Sequence, residues 1–187
     1  MNILVIGDSW ASALESDTRL NRGWPFFAGI PASLRQGISG SKAIDWASDK
    51  DGYLSRAVNS SHDVDCVVIS LLGNDVRHLY DDGKITLSEV VEAIASMRKV
   101  VRSLSHVKHV VLIGYCDPYF GADKKTAIGV PLINSGVKLA SVGISNTTIY
   151  NVSDIARQGH FDGVDFHMNE IGHRVMASGI MRFISQL

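Results

Sequence analysis

The sequence predicts one α/β domain, a three-layer α/β/α sandwich with a mostly parallel central sheet. Three observations carry that expectation. Short, β-branched apolar runs recur along the chain, and the first of them are continuous rather than alternating, as in strands covered on both faces. Stretches with helical spacing separate them. At 187 residues, with no internal repeat, low-complexity tract or linker, the chain suits a single domain spanning residues 1–187.

Taken in order, the first run is Ile3–Ile6, and a weaker strand candidate follows at Arg35–Ser39. Cys66–Leu72 is a long apolar run of strand character. Thr86 to Leu104 is the clearest helix: Leu87, Val90, Val91, Ile94, Met97, Val100, Val101 and Leu104 form one stripe, and Thr86 with Glu89 makes a capping box. Val110–Gly114 is the next strand. Tyr119–Gly129 lacks periodicity and is expected as a surface loop, and Pro131–Val142 is expected as a short helix. Thr147–Val152 is the last strand. The closing segment, Asn169–Leu187, has a capping Asn, an acidic first turn and an apolar face of Ile171, Val175, Met176, Ile180, Phe183 and Ile184. The expected strand order is flavodoxin-like, which places ligands at the carboxyl ends of the strands.

Composition narrows the partners. Eighteen Lys and Arg against 19 Asp and Glu leave no electrostatic reason to expect nucleic acid. No apolar run approaches the roughly 20 residues of a membrane span. Cys66 and Cys116 lie in or beside apolar runs without metal-knuckle spacing, so they are expected as small buried hydrophobes. The opening Met-Asn-Ile-Leu-Val-Ile-Gly-Asp has no basic leader, and a cytoplasmic location is the expectation.

Four polar clusters then matter. Gly7-Asp8-Ser9-Trp10 follows the first strand and presents a serine at a sharp turn; such a hydroxyl is a nucleophile if a base lies within reach, and a helix N-cap otherwise. Gly37-Ile38-Ser39-Gly40-Ser41-Lys42 resembles the tail of a phosphate loop but fails its spacing, leaving Gly40 as a backbone donor or a plain turn. Gly73-Asn74-Asp75 offers an amide to an oxyanion and a carboxylate to brace the loop, or a simple Asx turn. Asp162-Gly163-Val164-Asp165-Phe166-His167 places carboxylates beside an imidazole before the last helix, suiting an oriented general base or a solvated cap. His160, His167 and His173 match no metal-binding spacing, so neither a metal nor another cofactor is expected.

In this order the four clusters resemble the SGNH (GDSL-type) serine hydrolase superfamily. Gly7-Asp8-Ser9 is similar to its first block, Ile38-Ser39-Gly40 to the second, and Gly73-Asn74-Asp75 to the third. His167-Met168-Asn169-Glu170-Ile171-Gly172-His173 is similar to its His-x-Asn-x-x-Gly-His ending. The resemblance implies an esterase with Ser9 as nucleophile and His167 as base. It implies an oxyanion hole from Ser9, Gly40 and Asn74, and a small-molecule or carbohydrate ester as substrate. The family's Asp-x-x-His spacing puts Val164 where the triad acid belongs, so the acid falls to Asp165, two residues before His167, with Asp162 as the alternative and a dyad as a third arrangement. Two other readings stand beside it: a nucleotide- or flavin-binding module on the same topology, and a non-catalytic ligand-binding domain. The sequence specifies neither substrate nor oligomeric state.

Overall fold

The computed structural model describes residues 1–12, 23–76, 86–117, 124–161 and 167–187. Five strands form one sheet: β1 (Ile3–Gly7), β2 (Arg35–Gly37), β3 (Cys66–Ser70), β4 (His109–Gly114) and β5 (Thr147–Asn151). Their order is β2-β1-β3-β4-β5, and every pairing is parallel. All residues of β1 and β3 are buried, as are all of β4 after His109. Both faces of these strands are covered, which is why their sequences do not alternate. In register, Gly7 lies opposite Gly37 on one side and Ser70 on the other, so the sheet's carboxyl edge brings three chain segments together.

Among the described residues, helices α1 (Trp24–Phe27), α2 (Ala43–Ala47), α3 (Tyr53–Ser61), α4 (Leu87–Ser103), α5 (Lys124–Ser141) and α6 (Glu170–Ile184) flank the sheet, and residues 73–76 after β3 form a further helical turn. α2 packs on α4 and α4 on α5, making one layer, while α1 packs on α6 in the other. Leu4, Ile6, Ile69, Leu112, Met97, Met176 and Ile180 are fully buried between layers, each contributing roughly 1.5–3 kcal/mol of transfer free energy. Trp24 and Trp46 also belong to this core, and Trp10 is buried, whereas Phe26 is exposed. Cys66 and Cys116 are buried free thiols, and burial pushes each up to about 12. Among the described residues no helix is long and apolar enough to cross a membrane.

Several expected boundaries shift. β3 stops at Ser70 rather than Leu72, because the backbone turns there and Leu72 takes φ +89°. The apolar stripe of α4 is wider than its contact face: Ala93, Met97, Val100 and Val101 are buried, while Leu87 and Val91 stay in solvent. Ile171, in the first turn of α6, is exposed for the same reason. The expected loop Tyr119–Gly129 is helical from Lys124 onward, and residues 119–123 lie outside the described residues. α5 therefore runs through Pro131 instead of starting there, despite the backbone hydrogen bond that proline removes. Its close docking depends on Gly136, where a Cβ would sit 3.0 Å from Leu72 Cδ1 and 3.2 Å from Ile94 Cγ1. The short helices α2 and α3 were not expected: α2 is only five residues long, and the buried face of α3 is Leu54, Ala57 and Ser61, with just two apolar residues to mark it.

Candidate active site

β1 ends at Gly7, whose φ of +132° suits only glycine, and a Cβ there would overlap the Ser70 carbonyl. The Asp8 N–H then donates to Ser70 O at 2.8 Å, and the Asp8 carbonyl accepts from the N–H groups of Ala11 (3.0 Å) and Ser12 (2.9 Å). This tight turn carries Ser9. Its Oγ lies 2.8 Å from Nε2 of His167, a residue 158 positions away in sequence.

His167 is delivered by the segment that leads into α6. Phe161 and Met168 form an isolated antiparallel bridge, and the Asn169 N–H donates to His160 O at 2.9 Å. Asn169 caps α6 by accepting the Gly172 N–H at 3.0 Å, and its amide donates to Gly159 O at 2.9 Å. Gly172 sits so close to the His160 carbonyl that a Cβ would overlap it. The Asn and the Gly of the terminal motif thus hold the loop that carries the imidazole. His173 is buried in α6, and burial, together with nearby His167, pushes its imidazole down to about 4.

The second segment approaches from β2. Gly40 has φ +78°, and no heavy atom lies within 4 Å of where its Cβ would be, so its backbone faces open space. Ser41 anchors it: its hydroxyl donates to Gly7 O at 3.3 Å and accepts from Trp46 Nε1 at 2.9 Å. From the turn after β3, the Asn74 amide donates to Ser41 O at 3.0 Å with one hydrogen, leaving its second. Asp75 accepts the Ala43 N–H on both oxygens, at 3.1 and 3.0 Å, and burial raises its carboxyl above the ordinary carboxylate range. Asp75 braces the loop, as expected, by stapling it to α2. Leu72, in the left-handed region just before this turn, holds a backbone conformation that costs a non-glycine residue about 1–3 kcal/mol.

Ser9, Gly40, Asn74 and His167 are therefore gathered at the carboxyl ends of β1, β2 and β3. Asp162 and Asp165 lie outside the described residues. Among the described residues, the N–H groups of Ser9 and Gly40 make no hydrogen bond, and no group of three or more His, Cys, Asp or Glu is placed to hold a metal. His160 does not join the site; its Nδ1 accepts the Arg157 N–H at 3.1 Å. Ser70, Tyr115 and Asn134 support the site but carried no signal in the sequence, and Ser41 lay in the Gly40 cluster without a role of its own. Each acts through a contact distant in the chain.

A hydroxyl hydrogen-bonded to an imidazole, beside unengaged N–H donors, is the arrangement of an activated nucleophile. No protein-family model matches the sequence, and no curated protein matches it. Solved structures do. Axe2, an acetylxylan esterase from Geobacillus stearothermophilus, superposes with a TM-score of 0.74 at 18% identity, covering 98% of this chain and 93% of that one. LAE5, an alpha/beta hydrolase enzyme from the metagenome of Lake Arreo, Spain, superposes with a TM-score of 0.74 at 16% identity, covering 97% and 93%. A serine, a histidine and an aspartate of Axe2 have each been replaced in catalytic mutants of that enzyme. Nearly the whole of this chain thus shares its architecture with Axe2, an all-parallel five-stranded sheet between helices.

Proposed function

We propose that this protein is a serine hydrolase that cleaves a carboxylic ester, of an O-acetylated carbohydrate, an acyl alcohol or a thiol, through an acyl-enzyme on Ser9. The observation that carries the reading is the 2.8 Å contact between Ser9 Oγ and His167 Nε2 at the open end of the sheet. Ser9 Oγ attacks the acyl carbon while His167 Nε2 takes the hydroxyl proton. The carbonyl oxygen becomes an oxyanion, received by the N–H groups of Ser9 and Gly40 and by the second hydrogen of the Asn74 amide. Collapse breaks the bond to the leaving group, which takes the proton from His167. Water, deprotonated by the same base, then releases the acid.

Asp165 is our assignment for the carboxylate that orients His167, with Asp162 as its competitor. In Axe2 the replaced aspartate stands three residues before the histidine; counted from His167, that position here is Val164. Residues two apart in an extended step point to the same side, which favours Asp165.

The test is hydrolysis of acyl esters of graded chain length alongside acetylated sugars. Turnover by the wild type that is lost in Ser9→Ala supports the reading. Folded wild-type protein inert on the whole panel, or turnover that persists in Ser9→Ala, contradicts it.

A further inference from the structure

Beneath Ser9 lies a polar cluster that the acyl chemistry does not use. Asp8, Ser70 and Tyr115 are all buried. Asp8 Oδ1 accepts from the Ser70 hydroxyl and from the Trp10 N–H, each at 3.0 Å, and Asp8 Oδ2 accepts from the Tyr115 hydroxyl at 2.6 Å. The Ser70 and Tyr115 oxygens are themselves 2.8 Å apart. Three oxygen–oxygen separations of hydrogen-bond length therefore close a ring.

Two hydroxyls bring two hydrogens to that ring, and an ionised carboxylate brings none. With Asp8 ionised, one edge sets two lone pairs face to face. With Asp8 protonated, every edge carries a hydrogen: Asp8 Oδ2 donates to Tyr115, Tyr115 to Ser70, and Ser70 to Asp8 Oδ1. Burial acts in the same direction, pushing the Asp8 carboxyl up to about 6 against the pull of its donors. The titratable groups facing Asp8 are Tyr115, from the end of β4, and Asp75, from the turn after β3, whose like charge also raises Asp8. Tyr115 is itself held well above the ordinary phenol range by burial and by Asp8, so it keeps its hydrogen.

The ring touches both halves of the site. Asp8 directly precedes Ser9, and the Trp10 and Tyr115 rings pack with centroids 4.8 Å apart. Gly73, which opens the Asn74 turn, is pressed against the ring: a Cβ there would lie 3.1 Å from Asp8 Oδ2 and 3.1 Å from Tyr115 Cε1. Tyr115 is pinned in turn by Asn134 of α5, whose Oδ1 accepts the Tyr115 N–H at 2.8 Å and whose Nδ2 donates to the Tyr115 carbonyl at 2.9 Å.

We propose that Tyr115 is a positioning residue for Ser9 and Asn74, acting through its contacts with Ser70 and Asp8 in a ring that closes fully when Asp8 is protonated. Its effect on rate rests on Ser9 being the nucleophile; the hydrogen count in the ring does not.

Two measurements test this. The first follows the Asp8 side-chain carboxyl by carbon-13 NMR titration, assigned by its loss in Asp8→Asn. The expected midpoint is near 6. A midpoint in the ordinary carboxylate range overturns the proposal, whatever the activity. The second is the rate of Ser9 labelling by a fluorophosphonate. Tyr115→Phe is expected to label about tenfold to a hundredfold more slowly at unchanged probe affinity, since small misplacement of a nucleophile costs that much. Asp8→Asn, whose amide offers one donor edge and one acceptor as the acid does, is expected to label about tenfold or more faster than Asp8→Ala. A wild-type rate in Tyr115→Phe, or equal rates in the two Asp8 variants, overturns it. If Tyr115→Phe fails to fold, Ser70→Ala, which removes one hydroxyl from the same ring, carries the same expectation. A wild type that leaves Ser9 unlabelled while Asp8 titrates near 6 overturns the hydrolase reading and leaves the ring standing.

Discussion

Asp8 and His173 are both buried ionisable groups, and they pull the protein's pH dependence in opposite directions. The folded Asp8 carboxyl is raised from 3.8 to about 6, so its contribution to stability is full below the unfolded value and is lost as pH rises through about 6. The folded His173 imidazole is lowered from 6.5 to about 4, so its contribution is present above 6.5 and is lost as pH falls toward 4. Each shift of a little over two units corresponds to about 3 kcal/mol. Between pH 4 and 6 the two slopes offset each other in the wild type. Asp8→Asn removes one of them. Relative to wild type, that variant is expected to gain stability at pH 7 and to surrender about 3 kcal/mol of the difference by pH 4. Urea unfolding midpoints at both ends of the range read this, and parallel curves for the two proteins would show that Asp8 titrates normally.

At the scale of elements, two helix caps separate stability from function. Thr86 starts α4 with a complete capping box, its hydroxyl accepting the Glu89 N–H at 3.3 Å. Asn169 starts α6 two residues after His167. Either cap replaced by Ala should lower stability by about 1 kcal/mol. Thr86→Ala is expected to leave the Ser9 labelling rate alone, whereas Asn169→Ala also loosens the loop that presents His167 and slows labelling. Equal labelling in both variants would mean that the α6 cap does not position the imidazole. These caps were readable in the sequence because a cap and its partner are three residues apart. β1, β3 and β4 were readable because burial on both faces leaves a continuous apolar run, whereas β2, an Arg-Gln-Gly segment only partly buried, gave a weaker signal. The ring of Asp8, Ser70 and Tyr115 was not: Ser70 reads as one more residue of β3, Tyr115 as one more beyond β4, and their pairing is a contact across 45 positions. The extra turns of α5 were hidden by Pro131, whose local rule marks a helix start that packing overrides.

At the scale of the molecule, the strand order decides where chemistry can sit. After β1 the chain passes to β2 on one side and then returns to β3 on the other, so the crevice opens beyond the ends of β1 and β3. Ser9 leaves β1 and the Asn74 turn follows β3, so the two flank that point, with His167 reaching it from the far end of the chain. The four blocks were legible as a set because three follow strands of one parallel sheet and the fourth leads into the last helix; no single block was. The carboxylate was not, because two aspartates, Asp162 and Asp165, compete within a few residues of His167 in the sequence. Asp165→Asn is expected to lower turnover by about 10⁴, the loss seen when an orienting carboxylate is made neutral in other serine hydrolases, and Asp162→Asn to lower it far less. The reverse order would assign Asp162, and a small effect from both would indicate a Ser–His dyad. The most direct test of the Ser9–His167 pair is intact-mass analysis of the folded protein after exposure to a fluorophosphonate. One adduct on Ser9 is expected, absent in Ser9→Ala and formed slower by orders of magnitude in His167→Ala. No adduct on Ser9 in the folded wild type, or an undiminished rate in His167→Ala, would contradict it.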